Sequence, residues 1–168
     1  DLKISFSLHG IWHEVVKGVS FRVRRGRVVA LVGESGSGKS VIAQSIMGIL
    51  PLAGAVTNGR ILLDSGKSGG PIDLAALDPD GPDFRAVRGT QMSMIFQEPM
   101  TSLAPLHTIG NQISEALTTH VRVTGKEARE RSVEMLGLVG FPDPQRAFDM
   151  YPFELSGGLR QRAMIAMA

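Results

Sequence analysis

Eight consecutive residues, Gly33-Glu34-Ser35-Gly36-Ser37-Gly38-Lys39-Ser40, have the types and spacing needed to hold phosphate. The pattern is G-x-x-x-x-G-K-S, with an apolar run before it at residues 28–32 and helical spacing after it at Val41, Ile42, Ser45, Ile46 and Ile49. Glycine tolerates positive φ and lets an anion approach the main chain, so successive N–H groups can turn inward, and the helix start behind them adds the positive end of its dipole. Lys39 is then placed for the β- and γ-phosphates of a nucleoside triphosphate, and the Ser40 hydroxyl for a Mg²⁺ ion. The competing reading, a glycine-rich strand-to-helix turn with no ligand, requires all eight positions and both flanks to agree by chance.

Two further groups stand downstream. Gln97, in Ile95-Phe96-Gln97-Glu98-Pro99, ends an apolar run at residues 92–96. An uncharged amide can orient a water without competing for its proton; in isolation the residue is a solvated strand end. Over one hundred residues after the glycine loop comes Leu155-Ser156-Gly157-Gly158-Leu159-Arg160-Gln161. Ser156 is suited to cap a helix, while Gly157 and Gly158 let its first N–H groups approach a phosphate closely. Alone, this segment is a plain helix start.

In this order the three segments resemble the ABC family of ATP-binding proteins, and the likeness extends over nearly the whole chain. Residues 155–161 are similar to the family signature LSGGQQ in its LSGGMRQR variant, with Leu159 in place of Met or Gln. Phe96-Gln97-Glu98-Pro99-Met100-Thr101-Ser102-Leu103-Ala104-Pro105 resembles FQDPMTSLNP, a run found in importers of dipeptides, oligopeptides, nickel and glutathione. Ala104 departs from the usual Asn, which puts one loop hydrogen bond in doubt; Tyr151-Pro152 points to the same subfamily.

The resemblance implies a set of expectations. ATP and Mg²⁺ are the cofactors, bound by residues 33–41, namely Gly33, Glu34, Ser35, Gly36, Ser37, Gly38, Lys39, Ser40 and Val41. Lys39 and Gln97 serve hydrolysis, and Ser40 and Gln97 the metal. Ser156, Gly157 and Gly158 meet the nucleotide held by a second ATP-binding subunit in a head-to-tail dimer. An aromatic near the N-terminus stacks on adenine; Phe6 is the first choice by its place in the first strand, Trp12 the alternative. The partners are two membrane permeases and an extracytoplasmic solute-binding protein, at the cytoplasmic face of the inner membrane, for import of peptides or a related small solute. A non-transport ABC ATPase is the rival; zinc modules, coiled-coil insertions or fused tandem domains would mark it. A nucleotide-binding module without turnover is the third reading.

The elements that must position these groups follow from periodicity. Residues 2–6, 19–23 and 28–32 are expected strands, the last buried on both faces, with Arg24-Arg25-Gly26-Arg27 as a turn and Pro51 ending the helix after the loop. Residues 60–63 suggest another strand, residues 64–82 a surface excursion, and 92–96 a buried strand. Helical spacing governs 109–139, where Thr124 and Glu127 have capping-box spacing at the start of a charged amphipathic helix with a solvated face. The expected fold is α/β, a P-loop NTPase of ABC type. Its antiparallel β portion and loop core occupy 1–105 and its helical subdomain 106–168, with the C-terminal part of the core missing.

Composition narrows the field. The 168 residues are 43% hydrophobic, with 20 Gly, 9 Pro and a formal net charge of +2, as in a folded α/β protein. Basic residues occur in short scattered groups and not as a stripe, which gives nucleic-acid binding no support. The absence of cysteine excludes disulfides and thiolate metal sites. No apolar run approaches the roughly 20 residues that span a bilayer. The four histidines all precede residue 155, whereas the family's switch histidine follows the signature, so they read as surface or loop residues. No carboxylate follows Glu154. A chain that begins at Asp1 and stops within a helical pattern is expected to be part of a longer one, and turnover by residues 1–168 alone is not expected.

Overall fold

A computed structural model describes residues 1–66, 70–98, 102–121 and 123–168. Contacts divide it into two compact units, Asp1–Met92 and Ser93–Ala168.

The first unit is built on an antiparallel sheet. Strands β1 (Leu2–Leu8) and β2 (Ile11–Val19) form a hairpin, and β3 (Gly54–Asn58) pairs with the other edge of β1. His9 and Gly10 link the hairpin with φ of 52° and 82°; this is the type I′ geometry whose twist matches the strands it joins. Leu2, Ile4 and Val16 are buried with Ile42 of helix α1 (Lys39–Ile46), so the helix after the glycine loop is pinned to the sheet by its apolar face. The end of α1 is set by Gly48 and comes before Pro51. Gly48 lies at φ 62° and donates to the Ser45 carbonyl, while Ile49 donates to that of Gln44, the paired bonds of a Schellman cap. A second layer contains β4 (Leu62–Leu63), β5 (Ile72–Asp73), a 3₁₀ turn at Leu74–Ala76 and α2 (Pro82–Val87), packed around Leu74, Phe84 and Val87.

Three expected strands differ from the observed structure. The segment 19–23 leaves the sheet after Val19, and residues 28–32 join no strand among the described residues. Val28 and Val32 are 97% and 88% exposed, where burial on both faces was expected. Residues 92–96 make no ladder either; Met92 has one parallel bridge with Arg88, and Ile95 and Phe96 are exposed. Such segments need strands on both sides to satisfy their N–H and C=O groups and layers above and below to cover their side chains. No described residue supplies those neighbours. The Arg24–Arg27 turn does form, closed by the Arg27 N–H on the Arg24 carbonyl at 3.0 Å with Gly26 at φ 69°. The expected surface excursion at 64–82 contains β5 and the 3₁₀ turn; its residues 67–69, like Pro99, Met100 and Thr101 of the importer-like run, lie outside the described residues.

The second unit is helical, with α3 (Ile109–His120), α4 (Gly125–Leu138), α5 (Pro144–Asp149) and α6 (Gly157–Met167). Its helix starts are capped by side chains: Thr108, Thr124, Asp143 and Ser156 each accept from an N–H three residues on. The core gathers Leu103, Ile109, Ile113, Leu136, Phe148, Leu155 and Ala163. Its tightest fit is at Gly110, where any Cβ would overlap the Phe148 ring. Arg129 lies over the same ring, 4.0 Å from its centroid, and pairs with Asp149 through both carboxylate oxygens.

Gly110→Ala should therefore destabilise the helical unit by about 1–3 kcal/mol through overpacking, read as a lower urea midpoint with an unchanged slope. A midpoint equal to wild type would show that the ring has room to move.

Candidate functional site

The glycine loop is exposed from Gly33 to Ser37 and becomes buried at Gly38, where it meets the sheet. A Cβ at Gly38 would stand 3.3 Å from Val16 Cγ2 and 3.7 Å from the Val15 carbonyl oxygen, and φ there is 88°. The φ demands glycine, and the Val16 contact is tighter than a Cβ usually tolerates. The two contacts also show that β2 walls the loop, a relation no local pattern announced; Val15 and Val16 read only as strand residues. Gly36 has φ 80° and open space around its Cα, so only its backbone conformation selects glycine. At Gly33 an added Cβ would come 2.8 Å from Ser37 Oγ, which reflects how tightly the loop curls on itself.

The Lys39 ammonium closes that curl. Its Nζ donates to the carbonyls of Gly33 at 2.8 Å and Glu34 at 2.6 Å and to Ser37 Oγ at 3.2 Å. Three N–H donors meet three acceptors, and Ser37 N–H adds a bond to the Glu34 carbonyl. Glu34 contributes its main chain, not its carboxylate, and no ion pair to Lys39 occurs among the described residues. The charge is held in place yet not neutralised, the condition under which an anion is attracted most strongly. Behind it, α1 begins at Gly38 without any side-chain cap, so its first N–H groups have no side-chain acceptor. Ser40, exposed, and Val41, half-buried, occupy the opening turn.

These residues fit the phosphates of a nucleotide with Mg²⁺. The cradle is lined by N–H groups and one cation, and Mg²⁺ typically takes one or two protein oxygens and completes its shell with phosphate and water; Ser40 is suited to supply the first. Gln97, the other candidate, is exposed at a bend in the second unit.

In that second unit Ser156 has extended backbone, φ −63° and ψ 159°, and its Oγ accepts from Leu159 N–H at 3.4 Å. Gly157 and Gly158 are exposed and nothing lies within 4 Å of where their Cβ atoms would be. The approach to α6 is braced by the Tyr151 N–H donating to Glu154 Oε2 at 2.7 Å and by Arg160 Nε donating to the Pro152 carbonyl at 2.7 Å. Leu155 is buried in the core, so the chain turns from interior to surface within one residue at Ser156.

The two aromatic candidates occupy different environments. Phe6 is half-buried and packs with the β-sheet core, its ring so close to Gly54 that a Cβ there would come 2.7 Å from Phe6 Cε1. Trp12 is 56% exposed on β2, the strand whose Val15 and Val16 touch the loop.

Residues 16–168 match the ABC transporter family. The chain is 52% identical, over all of its length, to the peptidoglycan transport ATP-binding protein YejF of Agrobacterium fabrum, of which it covers 30%. It is 47% identical, again over all of its length, to the dipeptide transport ATP-binding protein DppD of Bacillus subtilis, of which it covers 48%. It thus spans less than half the length of these relatives. Among solved structures, a dimeric bacterial ABC transporter cassette superposes on 99% of the chain with a TM-score of 0.80 at 26% identity, the chain covering 68% of that cassette. A loop that holds an unneutralised lysine at an uncapped helix start, a serine-capped Gly-Gly helix start downstream, and a family match across both units lead to one assignment: the chain belongs to the ABC transporter family of ATP-binding proteins.

Proposed function

We propose that this chain is the nucleotide-holding part of the ATP-binding subunit of an importer for peptides or a related small solute. The observation that carries the reading is the Lys39 ammonium, held by the loop's own carbonyls and without a carboxylate partner among the described residues. The peptide and dipeptide transport names of its relatives support the solute class. No helix among the described residues is long and apolar enough to cross a membrane; in the proposed assembly two permease subunits hold the chain at the cytoplasmic face of the inner membrane. A second ATP-binding subunit and an extracytoplasmic solute-binding protein complete the proposed assembly.

Mg²⁺–ATP would supply a γ-phosphoryl group activated for attack by water. The loop N–H groups and Lys39 hold and partly neutralise the phosphates, and Ser40 offers its hydroxyl to the metal. Gln97 positions the water through its amide. Ser156, Gly157 and Gly158 address the nucleotide of the opposite subunit, which makes closure of the dimer depend on ATP. For adenine, the exposed ring of Trp12 on the strand that walls the loop is favoured over Phe6, whose ring is engaged with Gly54.

In the full-length protein, Lys39→Ala should lower ATP affinity by about tenfold or more, since Lys39, on turning one of its three donors from the loop to a phosphate oxygen, would make a charge-assisted hydrogen bond of about 1.5–3 kcal/mol. Calorimetry giving equal affinities would remove the phosphate assignment.

Base–aromatic stacking is worth about 1–3 kcal/mol, so Trp12→Ala should weaken ATP binding by about fivefold or more. Phe6→Leu should lower stability and leave affinity near wild type. The reverse pattern in the same titrations would return the adenine to Phe6.

With its permeases, the Ser156→Arg protein should bind ATP normally in its own loop and lose both hydrolysis and transport, because a bulky side chain stands where Gly157 and Gly158 must approach phosphate. Transport at the wild-type rate would rule out the head-to-tail arrangement.

A further inference from the structure

Gln112 is the most enclosed polar side chain near the segment that follows Gln97, and the nucleotide site makes no use of it. It lies in the first turns of α3 and is 7% exposed. Its amide pairs with the main chain of Ala104 in both directions: Oε1 accepts from the Ala104 N–H at 2.8 Å and Nε2 donates to the Ala104 carbonyl at 3.1 Å. The second Nε2 hydrogen goes to the His107 carbonyl at 3.0 Å. Both donors and the acceptor of one amide are thus spent on a loop whose tip, from Ala104 to His107, is exposed. Ala104 has no polar side chain of its own with which to fix the loop, and its peptide group serves as the handle instead.

The same loop has a second anchor. Leu103 is buried in the core that also holds Ile109, Ile113 and Leu155. At the start of α3, the Ile109 N–H donates to the Met150 carbonyl at 2.8 Å, and Met150 directly precedes the braced turn leading to Ser156. A continuous path of buried contacts and hydrogen bonds therefore runs from the loop at 102–108 through Gln112 and α3 to the serine-capped start of α6.

We infer that Gln112 is a positioning residue that makes the loop at 102–108 move as one body with the Ser156-Gly157-Gly158 helix start. The inference rests on the importer reading for its consequence, but the clamp is a property of this chain. Its chemistry is specific to an amide. A carboxylate at position 112 offers no donor and would set negative charge against two carbonyl oxygens, while leucine leaves one N–H and two C=O groups without their partner. Neither change touches the glycine loop, so nucleotide affinity should stay within about twofold of wild type. What should fall is the number of solutes moved per ATP hydrolysed, because under the importer reading the permeases would meet the chain at this loop, and without the clamp its displacement would not reach Ser156 in full.

The test has two arms. In the unmodified full-length protein, hydrogen exchange should show the Ala104 amide protected to a degree comparable with the amides of α3 despite the exposed loop around it. Exchange at the rate of an open loop would overturn the clamp without any variant. In the transporter assembled in vesicles, Gln112→Glu and Gln112→Leu should retain ATP affinity and a substantial part of hydrolysis while transport per ATP drops about tenfold. A parallel loss of hydrolysis and transport, with their ratio unchanged, would assign Gln112 a merely structural role and overturn the proposal. Should the wild-type assembly hydrolyse no ATP, the importer reading fails, and exchange at Ala104 alone decides the clamp.

Discussion

The site depends on one electrostatic arrangement: an ammonium group enclosed by the carbonyls of the loop it will serve. Lys39 spends its three donors on Gly33, Glu34 and Ser37, and so draws the chain into a tight curl. Glycine is required where that curl meets β2 at Gly38. The curl is carried in turn by α1, whose Ile42 is buried against Leu2, Ile4 and Val16, so the sheet positions the cation through a single apolar contact face. Because no carboxylate among the described residues pairs with Lys39, the loop is folded and electrostatically incomplete at once, a state suited to a phosphate ligand.

The second unit uses a related device with a different balance. There too a helix starts beside glycine, but Gly157 and Gly158 are exposed where Gly38 is buried, and Ser156 caps the helix while the Arg160 guanidinium braces its approach. The first helix start leaves its N–H groups without a side-chain acceptor, and the second ties one of its own to Ser156 Oγ. Its accuracy comes from the surrounding frame: the close fit of Phe148 on Gly110, the Ile109 to Met150 hydrogen bond, and the Arg160 contact with Pro152. Packing behind an exposed surface fixes the direction in which the short Ser-Gly-Gly segment leaves the core.

Local chemistry was legible in the sequence wherever neighbouring residues complete each other. The loop's glycines and lysine, the caps at Thr124 and Ser156, the Arg24–Arg27 turn and the helical stretch over 109–139 all follow from contacts within a few residues, and each is present. The ABC fold was legible for the same reason, since its motifs are short and their order is specific.

Tertiary structure decided the rest, because it depends on partners remote in sequence. The apolar pattern at 28–32 states a demand for burial and for flanking strands, yet a pattern cannot supply them, and Val28 and Val32 stand exposed. The wall that β2 provides for Gly38, the different settings of Phe6 and Trp12, and the hold of Gln112 on Ala104 have no signature in residue type. The sequence by itself determined the family and the loop that carries its motif, since that pattern resides in the backbone freedom of glycine and the charge of one lysine. Only the fold decided what surrounds those groups, since burial and long-range hydrogen bonds are set by distance in space and not along the chain.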